Sequence, residues 1–128
     1  MEDKTIKDFT QLHAWQKSHS VVLDIYLLTK SFPKVELFGL VTQMRRSAVS
    51  ITSNIAEGFG RHSIQEKRQF YRVALGSISE LQSQLFVARD TDLITQEQFN
   101  DMYSKSVVAR KLVFGLTNGK HMNTSETS

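Results

Sequence analysis

Hydrophobic residues recur through most of this chain at intervals of three and four, which places their side chains along one face of an α-helix. The spacing is most regular in the C-terminal half. It follows the heptad pattern of helices packed side by side, first at Tyr71, Ala74, Ile78, Leu81, Leu85 and Ala88, then at Phe99, Met102, Ser106, Ala109, Val113 and Leu116. These positions predict two long helices with buried apolar faces.

Two further helices are predicted in the N-terminal half, over residues 11–30 and 37–57. Pro33 separates them, because the residue before a proline is disfavoured in the α conformation. The expected buried faces consist of Leu12, Trp15, Val22 and Tyr26 in the first helix and of Met44, Ala48, Ile51 and Ile55 in the second.

The predicted helix ends carry recognisable signals. Ser63 with Glu66, and Thr95 with Gln98, have the spacing of capping boxes that open the third and fourth helices. The glycines at 58 and 60 are expected to supply the permissive backbone of a helix end and a tight turn. Four amphipathic helices with short connections, and no strand pattern, predict an all-α, antiparallel up-down-up-down four-helix bundle.

Two helices carry more apolar residues than a single buried stripe requires. The additional residues are Leu23, Ile25, Leu27 and Leu28 in the first helix and Phe70, Leu75, Phe86 and Val87 in the third. A second apolar face left in water favours association, and pairing of two different faces gives a head-to-tail contact that can close into a ring. We therefore expect a closed homo-oligomer.

The length of 128 residues fits one domain. We expect a single bundle over residues 1–119 and a disordered polar tail over residues 120–128. The charged N-terminus lacks the apolar segment of a secretory signal, and no apolar run approaches the roughly 18 residues of a membrane span. These features predict a cytoplasmic protein with no membrane partner.

Positive charge is concentrated in one part of the chain. Six Lys and Arg residues face only two acids between positions 45 and 72, and these bases are Arg45, Arg46, Arg61, Lys67, Arg68 and Arg72. Such a cluster can follow a phosphate backbone without reading bases. The same residues are equally consistent with a solvated helical face that forms ion pairs with Glu57 or Glu66. Both interpretations stay open.

Candidate catalytic groups are scarce. Asn54 and Glu57 could position a phosphate or a water, but a lone carboxylate lacks a second acid, a nucleophile or a metal partner. We therefore favour a structural network at the end of the second helix. The four histidines form no ligand set, and the chain has no cysteine. We expect no cofactor, no metal and no enzymatic activity.

Three segments carry a resemblance to a known family: residues 38–40 (FGL), 43–51 (QMRRSAVSI) and 53–61 (SNIAEGFGR). They are similar to the signature of the bacterial four helix bundle family also called 23S rRNA intervening sequence proteins. Further matching positions are Phe9, Leu12, Trp15, Gln16, Lys17, Pro33, Ala74–Ser77, Glu80, Leu81 and Ala88–Asp90. Thr52 departs from the proline or alanine that is common in the family.

The resemblance implies a ring-shaped homo-oligomer, typically a pentamer. It also implies likeness to accessory proteins of diversity-generating retroelements, which bind nucleic acid and a reverse transcriptase. The family name records gene location and demonstrates no activity. Two hypotheses follow. The first is an oligomer that binds structured RNA through its basic patch, and the alternative is a structural or protein-interaction module whose arginines form salt bridges between subunits. The expected partners are further copies of the chain and either RNA or a nucleic-acid-associated protein.

Overall fold

The computed structural model describes residues 5–118, and the predicted tail at 120–128 lies outside these residues. The described chain is helical, with no strand between residues 5 and 118. It forms α1 (His13–Thr29), α2 (Thr42–Phe59), α3 (Ile64–Asp90) and α4 (Gln96–Thr117). Short helical segments at Phe9–Gln11, Lys34–Glu36 and Leu37–Val41 precede α1 and join α1 to α2.

Each of the four helices packs against two others, in the cyclic order α1, α2, α3, α4 and back to α1. α2 and α3 are antiparallel, because Ser50 contacts Ser77 whereas Gly58, further along α2, lies against Tyr71. The contacts between α3 and α4 likewise run in opposite directions along the two helices. The molecule is therefore a four-helix bundle, as the sequence predicts.

The core confirms the predicted faces of α2, α3 and α4. Every residue predicted for these three faces is buried. The prediction for α1 is only partly correct: Leu12 and Val22 are buried, but Tyr26 is exposed and Ile25 occupies the core instead. Trp15 is half-buried at the edge, where it packs against Phe9 and stacks on His19.

α2 begins later than predicted. Residues 37–41 form a π-helical segment, and Gly39 within it has a non-helical backbone at φ −113° and ψ −107°. Val41 returns to the core, whereas Leu37 and Phe38 remain exposed. The regular helix starts only at Thr42, so the end of the bundle carries an irregular apolar connection.

The glycines near the turn between α2 and α3 do not have the role that the sequence predicts. Neither Gly58 nor Gly60 adopts a left-handed conformation, and Gly58 is buried within α2. A Cβ atom at position 58 would lie 2.7 Å from Cε1 of Tyr71, so the missing side chain permits close helix packing. Ser63 caps α3 by accepting a hydrogen bond from the amide of Glu66 at 3.0 Å. The Glu66 side chain forms no return bond to the Ser63 amide, so only half of the predicted capping box is present.

The capping box predicted for the fourth helix is confirmed in full. The Thr95 hydroxyl accepts from the Gln98 amide at 3.0 Å, and the Gln98 side chain accepts from the Thr95 amide at 2.9 Å. Both halves satisfy amides that a helix start leaves without partners. Within residues 5–118, none of the helices has the length and apolar character needed to cross a membrane.

Candidate functional site

Lys67 is buried and turned towards its own chain. Its ammonium group donates hydrogen bonds to the carbonyl oxygens of Phe59 at 2.7 Å and Gly58 at 3.4 Å, and it lies 5.4 Å from the centre of the Phe59 ring. A helix end leaves its last carbonyls unpaired and carries partial negative charge. Lys67 thus caps the C-terminus of α2 and does not join an exposed basic cluster.

Arg45 and Arg61 also bind within the chain. The Nε of Arg45 donates to the Thr29 hydroxyl at 2.9 Å, and its guanidinium stacks over the Tyr26 ring at 4.5 Å, which ties α2 to α1. Arg61 forms an ion pair with Glu57 at 2.7 Å and lies over the Phe70 ring. These planar contacts hold both guanidinium groups in fixed orientations.

The remaining three arginines are exposed. Arg68 donates to the carbonyl oxygen of Thr117 at 3.2 Å and so joins the start of α3 to the end of α4. Arg46 and Arg72 form no hydrogen bond or ion pair with any residue between 5 and 118. Arg46 borders a polar groove of about 500 Å³ between α2 and α3, together with Ser50 and Glu80. Two of the six bases are therefore free for a partner.

Asn54 and Glu57 belong to separate networks. The amide of Asn54 donates to the backbone and hydroxyl oxygens of Ser50 at 2.8 and 3.1 Å. The Ser50 hydroxyl also shares a hydrogen bond with Ser77 at 2.8 Å, which links α2 to α3. Glu57 instead pairs with Arg61 one helical turn away. Each side chain binds a neighbour in the fold, and neither is brought towards a second acid.

Part of each predicted second apolar face, on α1 and on α3, is exposed. The α1 face, which we define as Leu23, Tyr26 and Leu27, has 57% of Leu23 and 68% of Leu27 exposed. Phe86 and Val87 are exposed on α3.

Four residues that the sequence assigns to the second, exposed apolar faces of α1 and α3 are instead buried or partly buried. Ile25 is a core residue, Phe70 is only half-buried, and Leu28 and Leu75 pack partly against the core. Helical periodicity identifies apolar stripes, but the packing of neighbouring helices decides which stripe is covered.

An aromatic cluster on α3 and α4 was not predicted. The rings of Phe86, Phe99 and Tyr103 lie 4.9 to 5.6 Å apart. The Arg89 guanidinium lies 4.9 Å from the centre of Phe86 and 4.7 Å from that of Phe99. The sequence does contain a signal for this cluster, because residues three or four apart lie side by side on a helix. Phe86 and Arg89 have that spacing on α3, and Phe99 and Tyr103 have it on α4.

Burial raises the pKa of Tyr71 to about 12. Hydrogen bonds from Lys105 to Asp24 and Asp101 raise the pKa of that ammonium group. Across residues 5–118, His, Asp and Glu side chains nowhere gather in the groups of three or more that could hold a metal ion.

The fold and surface of residues 5–118 define a helical-bundle protein with exposed apolar faces and with two arginines that have no partner in that range. The chain belongs to the family of 23S rRNA-intervening sequence proteins, whose family model matches residues 10–115. No curated protein is similar to it in sequence. A solved structure from Bacteroides thetaiotaomicron, of a protein with unknown function from the S23 ribosomal protein family, has a similar fold. Its TM-score is 0.73 at 24% identity, over 81% of this chain and 97% of that one.

Proposed function

We propose that this protein is a non-enzymatic, self-associating module, and that the α1 face is one side of its subunit contact. The observation that carries the proposal is the adjacency of three exposed apolar side chains, Leu23, Tyr26 and Leu27, on one helical surface. Val49 of α2 extends this surface, because it lines the same shallow hollow as Tyr26.

Physical chemistry favours coverage of this surface. Removing apolar area from water is the main favourable contribution to most protein association, and neighbouring apolar side chains mark interaction sites more strongly than isolated ones. The charges support the same conclusion, because Arg45, Arg61, Lys67 and Arg68 already bind groups of their own chain. In an assembly, Arg46 and Arg72 are available for salt bridges between subunits. The family resemblance suggests five subunits.

Sedimentation velocity of the L23S/L27S double variant tests this proposal. Both side chains are largely exposed, so the isolated bundle should remain folded while the assembly dissociates. The matched control is V108S, because Val108 is similarly exposed but is flanked on α4 by exposed Ser104, Lys105 and Lys111. Equal assembly of L23S/L27S and V108S would remove the α1 face from the subunit contact.

A second candidate function is binding of structured RNA. The observation that favours it is that Arg46 and Arg72 are exposed and unpaired among the described residues. These two arginines lie on α2 and α3, which are adjacent and antiparallel. Since Ser50 lies opposite Ser77, Arg46 and Arg72 are about 13 Å apart along the bundle axis. Phosphate contacts of this kind give affinity without sequence readout.

Filter binding across a salt series tests the RNA hypothesis. Each lost phosphate contact lowers the slope of log affinity against log salt by about 1. R46Q/R72Q is therefore expected to lower the slope by about 2, whereas the control K17Q/K111Q, on other helices, should change it little. An unchanged slope in R46Q/R72Q would exclude these two arginines as phosphate contacts.

A further inference from the structure

The connection between α1 and α2 exposes an unusual amount of apolar surface. Val35, Leu37 and Phe38 form what we call the α1–α2 tip. Phe38 is 92% exposed and Val35 is 85% exposed. An aromatic side chain buries about 150–250 Å² when it is covered, so a fully hydrated phenyl ring at the end of a bundle is a strong candidate anchor. The core does not account for an aromatic residue at position 38, because Val41 is buried and Leu40 packs partly against the core beside it.

A hollow of about 310 Å³ lies between α1 and α4, which we call the α1–α4 hollow. Its apolar residues are Leu27, Leu28 and Met102, and its rim carries Asp24, Asp101 and Lys105. Leu27 also belongs to the α1 face, so the hollow continues the surface proposed above for self-association. An apolar floor with a polar rim is the usual anatomy of an interaction site.

The charges around the tip and the hollow are complementary. Lys30 and Lys34 line one small cavity together with Leu37, so two ammonium groups flank the tip. The rim of the hollow holds two carboxylates, Asp24 and Asp101, against the single ammonium of Lys105. Lys30 and Lys34 outnumber the single carboxylate of Glu36, so the tip has an excess of positive charge, and the hollow has an excess of negative charge. Such complementarity fixes the orientation of an encounter.

The two surfaces also lie at the same end of the bundle. Leu28 and Ser31, at the end of α1, line the hollow, and the tip follows them directly in the chain. A contact between two different surfaces at one level repeats from copy to copy with little displacement along the bundle axis. Heterologous contacts give a ring when the rotation between copies closes and a helical filament when it does not, and a small displacement along the axis is one condition for closure.

We propose that Phe38 inserts into the α1–α4 hollow of a second copy of this chain. The inference rests on the proposed self-association and specifies its contact: Phe38 covers Leu27, Leu28 and Met102 of the next copy, and Lys34 approaches Asp101. Each copy offers one tip and one hollow, so the contact is head-to-tail.

The first test is the assembly of F38S compared with F114S. Phe114 is an exposed aromatic residue on α4, outside both the tip and the hollow, so the same substitution there controls for loss of exposed aromatic area. F38S is expected to raise the subunit concentration at half-dissociation by roughly tenfold or more, as loss of an interface anchor does. F114S is expected to leave it unchanged.

The second test uses cross-linking, which the absence of cysteine in the chain makes specific. K34C and D101C are prepared as separate proteins, mixed, allowed to exchange subunits and treated with a short bifunctional maleimide. A covalent dimer is expected in the mixture and not in either protein alone. Absence of the 34–101 product, or assembly of F38S as strong as that of F114S, would overturn the Phe38 contact and leave self-association intact. A monomeric wild-type protein would overturn both.

Discussion

Gly58 provides the sharpest test of the packing between α2 and α3. A Cβ atom added at this position would lie 2.7 Å from Cε1 and 3.0 Å from Cδ1 of Tyr71, and 3.1 Å from Cβ of Phe70. Tyr71 is 1% exposed and its ring is enclosed by the core, so it cannot move aside without displacing neighbours. Overpacking of this kind costs about 1–3 kcal/mol. Alanine regains up to about 1 kcal/mol of helix propensity, less near a helix end.

We therefore expect G58A to lower the free energy of unfolding by about 1–2 kcal/mol. For a domain of this size that corresponds to a fall in melting temperature of about 4–8 °C. The matched control is G76A, because a Cβ atom at Gly76 of α3 meets nothing within 4 Å. G76A should raise stability by about 0.5–1 kcal/mol. Urea and thermal unfolding of both variants measure the difference. A G58A protein as stable as the wild type would refute the close approach of α2 to Tyr71.

Three further outcomes follow from the structure. K67M removes the donor to the last carbonyls of α2 and should lower the free energy of unfolding by about 1–3 kcal/mol, whereas R72M, at an exposed position, should stay within about 0.5 kcal/mol of the wild type in urea melts. L81A and L85A should each cost about 2–5 kcal/mol, and unchanged thermal melts would show that α3 buries a different face. Burial raises the pKa of Tyr71 to about 12 from 10.0. The unfolded chain therefore loses this proton first, so the free energy of unfolding is at its full value below pH 10 and falls as the pH rises towards 12. Y71F should flatten that part of the pH dependence of unfolding; an identical profile would contradict it.

The sequence predicted α3 and α4 well because each has one regular heptad stripe and an N-terminal cap. α1 was harder, since it has apolar residues on several sides. Tyr26 and Ile25 are adjacent in sequence and both apolar enough for a core. The packing of α1 against α2 and α4 places Ile25 inside and leaves Tyr26 to stack under Arg45. Periodicity alone contains no information about that choice.

The basic cluster shows a similar limit. Its charge excess is visible in the sequence, but the partner of each side chain depends on the tertiary fold. Arg68 binds the carbonyl of Thr117, 49 positions away, and Lys67 meets the end of α2 only because the α2–α3 turn is tight. Phe38 lies in a segment that carries the family resemblance, but its exposure is not predicted from the sequence. Its exposure results from the irregular segment at Leu37–Val41, where Gly39 interrupts the helical backbone.

The most direct test of the account is the mass of the wild-type protein in solution. Native mass spectrometry at micromolar concentration is expected to give a closed oligomer, and the family resemblance sets the expected mass at five times the 14.6 kDa of one chain. A dimer or tetramer would contradict the subunit number while retaining the exposed faces as contacts. A species of 14.6 kDa at every concentration would contradict self-association itself.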